Sequence, residues 1–189
     1  EVVYQEGLFD DEYYTSHYSV NTNPLADYLL FGWKESKNPS YLFNTNKYLE
    51  YNVDVANADV NPLMHFVRYG LESKRKFNFD LNYSQYTDFK NSVYAEELFD
   101  DEYYLFFNPD ISKKQTLPHY LTVGYKRGLN PSLNFDTTCF LENSIDISRS
   151  GLYPLIFYVT KSLDSKRKVK FNMNLSDYKD SIRFIKDNG

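Results

Sequence analysis

Leu8-Phe9-Asp10-Asp11-Glu12-Tyr13-Tyr14 recurs unchanged as Leu98-Phe99-Asp100-Asp101-Glu102-Tyr103-Tyr104. Val3-Tyr4 and Glu6 ahead of the first copy match Val93-Tyr94 and Glu96 ahead of the second. Self-similarity at a fixed period is the mark of a repeat architecture and outranks any local pattern. Each heptad also has a physical reading as a helix start. Asp10 stands at the N-cap, where its carboxylate can accept from free N–H groups of the first turn. Asp11 and Glu12 add negative charge at the positive end of the helix dipole. Phe9 falls at N′ and Tyr14 at N4, the positions of a hydrophobic staple.

Two weaker copies share the offset, Phe43-Asn44 with Tyr48 and Phe135-Asp136 with Phe140. Each copy continues into a second helix. In the first, Asn23 caps, Pro24 takes N1, and Leu25, Tyr28, Leu29, Gly32 and Trp33 share one face, which predicts a helix to about Glu35. Gly32 is then a point of close approach rather than a stop. Leu63, Phe66, Val67 and Gly70 repeat the face in the second copy. Leu117, Tyr120, Leu121 and Gly124 do so in the third, and Leu155, Tyr158 and Val159 in the fourth.

Copies one and three close in Asn-Pro-Ser, and copies two and four in Lys-Arg-Lys. Tyr83, Tyr86, Lys90 and Val93 predict a joining helix. Leu175, Tyr178, Ile182 and Ile185 predict a last one. The expected fold is all-α: tandem short helical hairpins in a solenoid-like array of two modules, 1–92 (copies at about 9–40 and 43–77) and 93–189 (copies at about 99–132 and 135–170). No segment alternates in a way that predicts a strand.

With 189 residues, 19 Tyr, 15 Phe and few Gly or Pro, the chain can bury a substantial core. A net charge of −5 gives no basic footprint, so nucleic acid is not an expected partner. A single cysteine, Cys139, excludes an internal disulfide and reads as a small buried hydrophobe. No apolar run is long enough to span a membrane. The chain opens without Met and reads as a fragment of something longer. The expected compartment is cytoplasmic, with the membrane periphery and the extracellular space as open alternatives.

The sequence holds no phosphate loop, nucleophile elbow or paired catalytic set, which argues against an enzyme and implies no cofactor. His65 and His119 hold equivalent places in their second helices, without the second His that a metal site would need. They read as packed histidines. Adjacent acids at a helix start match neither a glycosidase pair nor a calcium loop, and capping accounts for them. Asp54, Asp110 and Asp146 recur after the first helix of three copies and read as turn-tying residues. The clusters Lys74-Arg75-Lys76 and Lys166-Arg167-Lys168 recur once per module. They are the candidate binding edge, suited to an acidic protein or an anionic polysaccharide or lipid surface; the plainer alternative is a solvated loop. Trp33 is the candidate aromatic contact to a sugar ring, although its periodic placement says core first.

The third copy carries the fullest motif: Phe99-Asp100, Tyr103-Tyr104-Leu105, Asn108-Pro109-Asp110-Ile111, His119-Tyr120-Leu121, Gly124, Gly128 and Asn130-Pro131-Ser132. It resembles the short helical repeats attached to multidomain bacterial and archaeal glycosyltransferases of surface-polysaccharide synthesis; similar repeats occur in some large secreted calcium-binding proteins. The likeness covers about 9–77 and 99–170. It implies an accessory, non-catalytic module for docking or binding, and it carries no catalytic residue over. The alternative function is a carbohydrate-binding module using surface aromatics.

Overall fold

The computed structural model describes residues 1–144, 147 and 151–162. They are mostly helical, in short helices joined by turns. Lys166, Arg167, Lys168, Asp146 and the helix expected over about 175–186 lie outside the described residues.

The four predicted helix starts are present. Asp10 accepts from the Tyr13 amide at 2.8 Å and Asn44 from Lys47 at 2.9 Å. Asp100 accepts from Glu102 and Tyr103, and Asp136 from Cys139 at 2.8 Å. These caps open helices Asp11–His17, Thr45–Tyr51, Asp101–Phe107 and Thr137–Glu142. The staples repeat almost unchanged. Phe9 and Tyr14 have ring centroids 5.4 Å apart, Phe43 and Tyr48 5.3 Å, Phe99 and Tyr104 5.4 Å, Phe135 and Phe140 5.3 Å. All eight rings lie in the core.

The second helix of each copy is not a plain α-helix. Four α-helical residues, Pro24–Asp27, Pro62–His65, Thr116–His119 and Pro154–Phe157, each pass into a five-residue π-helix. Those π-turns are Tyr28–Gly32, Phe66–Gly70, Tyr120–Gly124 and Tyr158–Ser162. In the first copy the helix therefore ends at Gly32 and the chain turns through Ser36, short of the expected Glu35 terminus. Gly32 is the expected point of close approach, since a Cβ there would collide with the Tyr14 hydroxyl.

Three expectations are corrected. Lys76–Asn78 and Leu81–Asn82 pair as a small antiparallel hairpin where no strand was expected. Its turn residues Phe79 and Asp80 both have positive φ, 53° and 63°, without the Asn-Gly pair that would announce such a turn. Burial of Phe79, 2 % exposed and 5.3 Å from the Tyr153 ring, compensates for that backbone. The joining helix is present but runs Tyr83–Ala95, across the division drawn between 92 and 93. Its last turn is the counterpart of Val2–Gln5, which stands alone at the start of the chain. Cys139 is half-buried rather than buried.

The same connections close both modules. Asp10 N–H donates to Pro39 O and Asp100 N–H to Pro131 O, each at 3.0 Å. The Tyr28 and Tyr120 hydroxyls each lie 2.9 Å from a threonine hydroxyl, Thr45 and Thr137. Copies one and three meet directly. Gln115 bridges Gly7 O and Tyr41 N at 2.8 and 3.1 Å, and Tyr41 packs edge-on against His119. The chain thus folds back so that equivalent copies touch.

Candidate functional site

The first basic cluster is largely neutralised. Arg75 forms a two-pronged pair with Asp54, at 2.8 and 2.7 Å, and donates to Asn52 at 3.2 Å. This pairing holds the Asp54 carboxyl below the usual carboxylate range. Lys76 Nζ lies 2.6 Å from Asp80 and 5.7 Å from the Tyr51 ring. Of the first cluster, Lys74 alone is exposed without an ion pair among the described residues. Trp33 is 9 % exposed, with Lys34 Nζ 5.1 Å from its ring centroid. That leaves little indole surface to meet a sugar.

The histidines at the equivalent places are packed, as their spacing predicted. Nδ1 of His65 lies 2.8 Å from the Tyr48 hydroxyl, and Nδ1 of His119 lies 2.8 Å from that of Tyr104. Asp27 takes this role in copy one, accepting from Tyr14 at 2.7 Å. Burial pushes the His119 pKa down to about 4, helped by the nearby Arg127 charge. It also pushes Tyr104 above the usual phenol range. A neutral imidazole and a neutral phenol locked together hold structure and offer no acid–base pair to solvent. Among the described residues, no group of three or more His, Cys, Asp or Glu side chains is gathered as a metal site would require. None of the described helices is long and apolar enough to cross a membrane.

The structure assembles instead a cleft of about 390 Å³ from all four copies. Tyr13 and His17 come from the first helix of copy one, stacked with centroids 4.1 Å apart. Tyr41 comes from the linker after it, Asn44 and Lys47 from the next helix start, Asn78 from the hairpin, Thr122 and Lys126 from copy three, and Tyr153 from copy four. The three tyrosines are half-buried, so each presents part of a ring. Tyr41 and Tyr13 meet edge-on at 4.5 Å. The hydroxyls of Tyr41 and Tyr153 have no hydrogen-bond partner among the described residues, and burial raises the Tyr153 pKa to about 12. Asn44 spends its side-chain oxygen on the helix cap, leaving its amide NH2 unengaged among the described residues.

Periodicity concealed this site, because the tyrosines at the recurring positions, such as Tyr14, Tyr28, Tyr48, Tyr104 and Tyr120, are core residues. One signal was present: Tyr41 stands where copy three has Leu133, an aromatic that breaks the repeat. No protein-family model, no curated protein and no solved structure matches the chain.

Proposed function

We propose that this chain is a non-catalytic helical repeat module that binds a neutral glycan in the cleft between its modules, as an accessory to a glycosyltransferase of surface-polysaccharide synthesis. The observation that carries the reading is the convergence of Tyr13, Tyr41 and Tyr153 with Asn44 and Lys126 in one concave site. Sugar rings present apolar C–H faces that lie against aromatic rings, and hydroxyls that pair with amide, phenol and ammonium groups. A volume of about 390 Å³ falls in the ordinary range of small-ligand sites and suits one or two sugar units. Docking through Lys74, Arg75 and Lys76 loses its main support, because Asp54 and Asp80 already take up two of the three charges. The glycosyltransferase association rests on the repeat motif alone.

The test is calorimetric titration of neutral oligosaccharides and of a phosphate-bearing polymer. The wild type is compared with Tyr41→Ala, with Asn44→Asp (which keeps the cap and removes the amide donor) and with a Lys74→Ser, Arg75→Ser, Lys166→Ser, Arg167→Ser variant. Neutral-glycan binding should persist as salt rises and should weaken at least ten-fold in the two cleft variants, with their circular dichroism unchanged. Salt-sensitive binding of the polymer alone, lost only in the basic-cluster variant, would return the function to the basic edge.

A further inference from the structure

The start of copy one is a covered face. Ser112 Oγ donates to Asp10 Oδ2 at 2.6 Å, and Lys114 Nζ donates to Tyr4 O at 2.9 Å. Gln115 spans Gly7 O and Tyr41 N. A single Ser-Lys-Lys-Gln turn from module two thus seats on the start of copy one by a hydroxyl on Asp10, a cation on Tyr4 O and an amide between Gly7 and Tyr41.

The same face of copy three opens instead on a cavity of about 520 Å³. Its lining includes Tyr94, Glu97, Asp100 and Leu133, the counterparts of Tyr4, Gly7, Asp10 and Tyr41. None of the described segments covers it. Asp100 caps its helix through Oδ1, as Asp10 does, and its Oδ2 has no counterpart of Ser112 among the described residues.

Two replacements change what the face accepts. Gly7 becomes Glu97, with the left-handed backbone kept at φ 54°. Leu42 becomes Asn134, whose side-chain N–H donates to Glu97 O at 3.2 Å. The carbonyl that Gln115 meets in copy one is therefore met by Asn134 within copy three. A Cβ on Gly7 would stand 3.2 Å from the Gln115 amide nitrogen, so Glu97 also crowds the place a glutamine amide would take. In exchange it adds a carboxylate, one oxygen of which accepts from the Asn134 side-chain N–H at 3.4 Å, to those of Asp100, Asp101 and Glu102, against one ammonium, Lys113. The face has exchanged an amide requirement for a positive one.

We propose that this pocket docks a basic peptide turn of a partner protein, a hydroxyl residue followed by three Lys or Arg side chains. Ser112–Gln115 supplies the template for the backbone and for the hydroxyl on Asp100. The third basic residue replaces Gln115 and pairs with Glu97. Charge-assisted hydrogen bonds to carboxylates give such a site its preference for a cation over an amide.

The experiment adds to the full chain a fluorescent peptide of the chain's own residues 108–116 carrying Gln115→Lys, with the unsubstituted peptide as control, and follows anisotropy. The lysine peptide should bind at least ten-fold tighter than the control, and rising salt should weaken it. Glu97→Gly should bring the two peptides to equal affinity. That substitution relaxes a left-handed backbone, so loss of folding is not expected to confuse the result. Asp100→Asn keeps the cap and should weaken both peptides. Absence of binding, or equal binding of the lysine peptide to the wild type and Glu97→Gly, would overturn the proposal.

Discussion

The Tyr104 hydroxyl lies 2.8 Å from Nδ1 of His119, and the two side chains are only 1 % and 4 % exposed. The pair recurs as Tyr48 with His65 and as Tyr14 with Asp27, and each of the three copies ends its π-turn in a glycine, Gly124, Gly70 and Gly32, of which Gly124 and Gly32 lie against the tyrosine hydroxyl of their pair. In copy four Phe140 and Phe157 occupy the two places and Ser162 the third. Hydroxyl, acceptor and glycine are kept or exchanged together.

Removing both partners together should therefore cost less than the sum of removing each alone. Tyr104→Phe or His119→Phe leaves a buried polar group unpaired, at about 1–3 kcal/mol. The double variant places phenylalanine at both positions, as copy four does with Phe140 and Phe157, and should destabilise by less than the sum. Urea unfolding of the four proteins checks this; strict additivity would dissolve the link between the two residues.

The depressed His119 pKa fixes the sign of a pH effect. The folded value is about 4, against 6.5 for an ordinary histidine, so the unfolded chain takes up a proton first as pH falls. The stabilisation is complete above about pH 6.5 and is lost progressively toward 4. His65, also lowered by burial and then by Arg75, adds in the same direction. Unfolding midpoints measured at intervals between pH 7 and 4.5 should drop in the wild type and drop less in His119→Phe.

Gly124→Ala reverses the usual rule for a helical glycine. Alanine in a helix ordinarily gains about 0.5–1 kcal/mol over glycine. Here its Cβ would collide with the Tyr104 hydroxyl. A loss of about 1–3 kcal/mol is expected, as for other overpacked cores. Adding Tyr104→Phe should recover part of it, and a stabilised Gly124→Ala in a thermal melt would contradict the packing described.

Arg75→Ala should change stability by less than about 1 kcal/mol, because its pair with Asp54 is solvent-exposed. Thermal melts in low and high salt give the reading. A large loss would assign the arginine a role in holding the hairpin.

Caps, staples and the four-copy plan were legible in the sequence because each joins residues within five positions of one another. Asp10 needs only the amide of Tyr13, and Phe9 only the ring of Tyr14. Periodicity also marked His65 and His119 as packed residues, since a position that repeats is a packing position first; His119 is buried and His65 half-buried.

The rest depended on separations that a local pattern does not carry. Arg75 meets Asp54 across 21 residues, and Gln115 meets Gly7 across 108. The hairpin rests on two positive-φ residues, Phe79 and Asp80, whose strain only tertiary burial of Phe79 offsets. The cleft exists because the chain folds back and brings Tyr13, Tyr41 and Tyr153 together, three tyrosines among 19 that look alike in sequence. The sequence by itself determined the unit and the number of times it is built, because those are set by short-range capping and spacing. Which charges are spent, and which rings still face a ligand, only the tertiary structure decided, because ion pairing and burial belong to whatever the folded chain brings alongside.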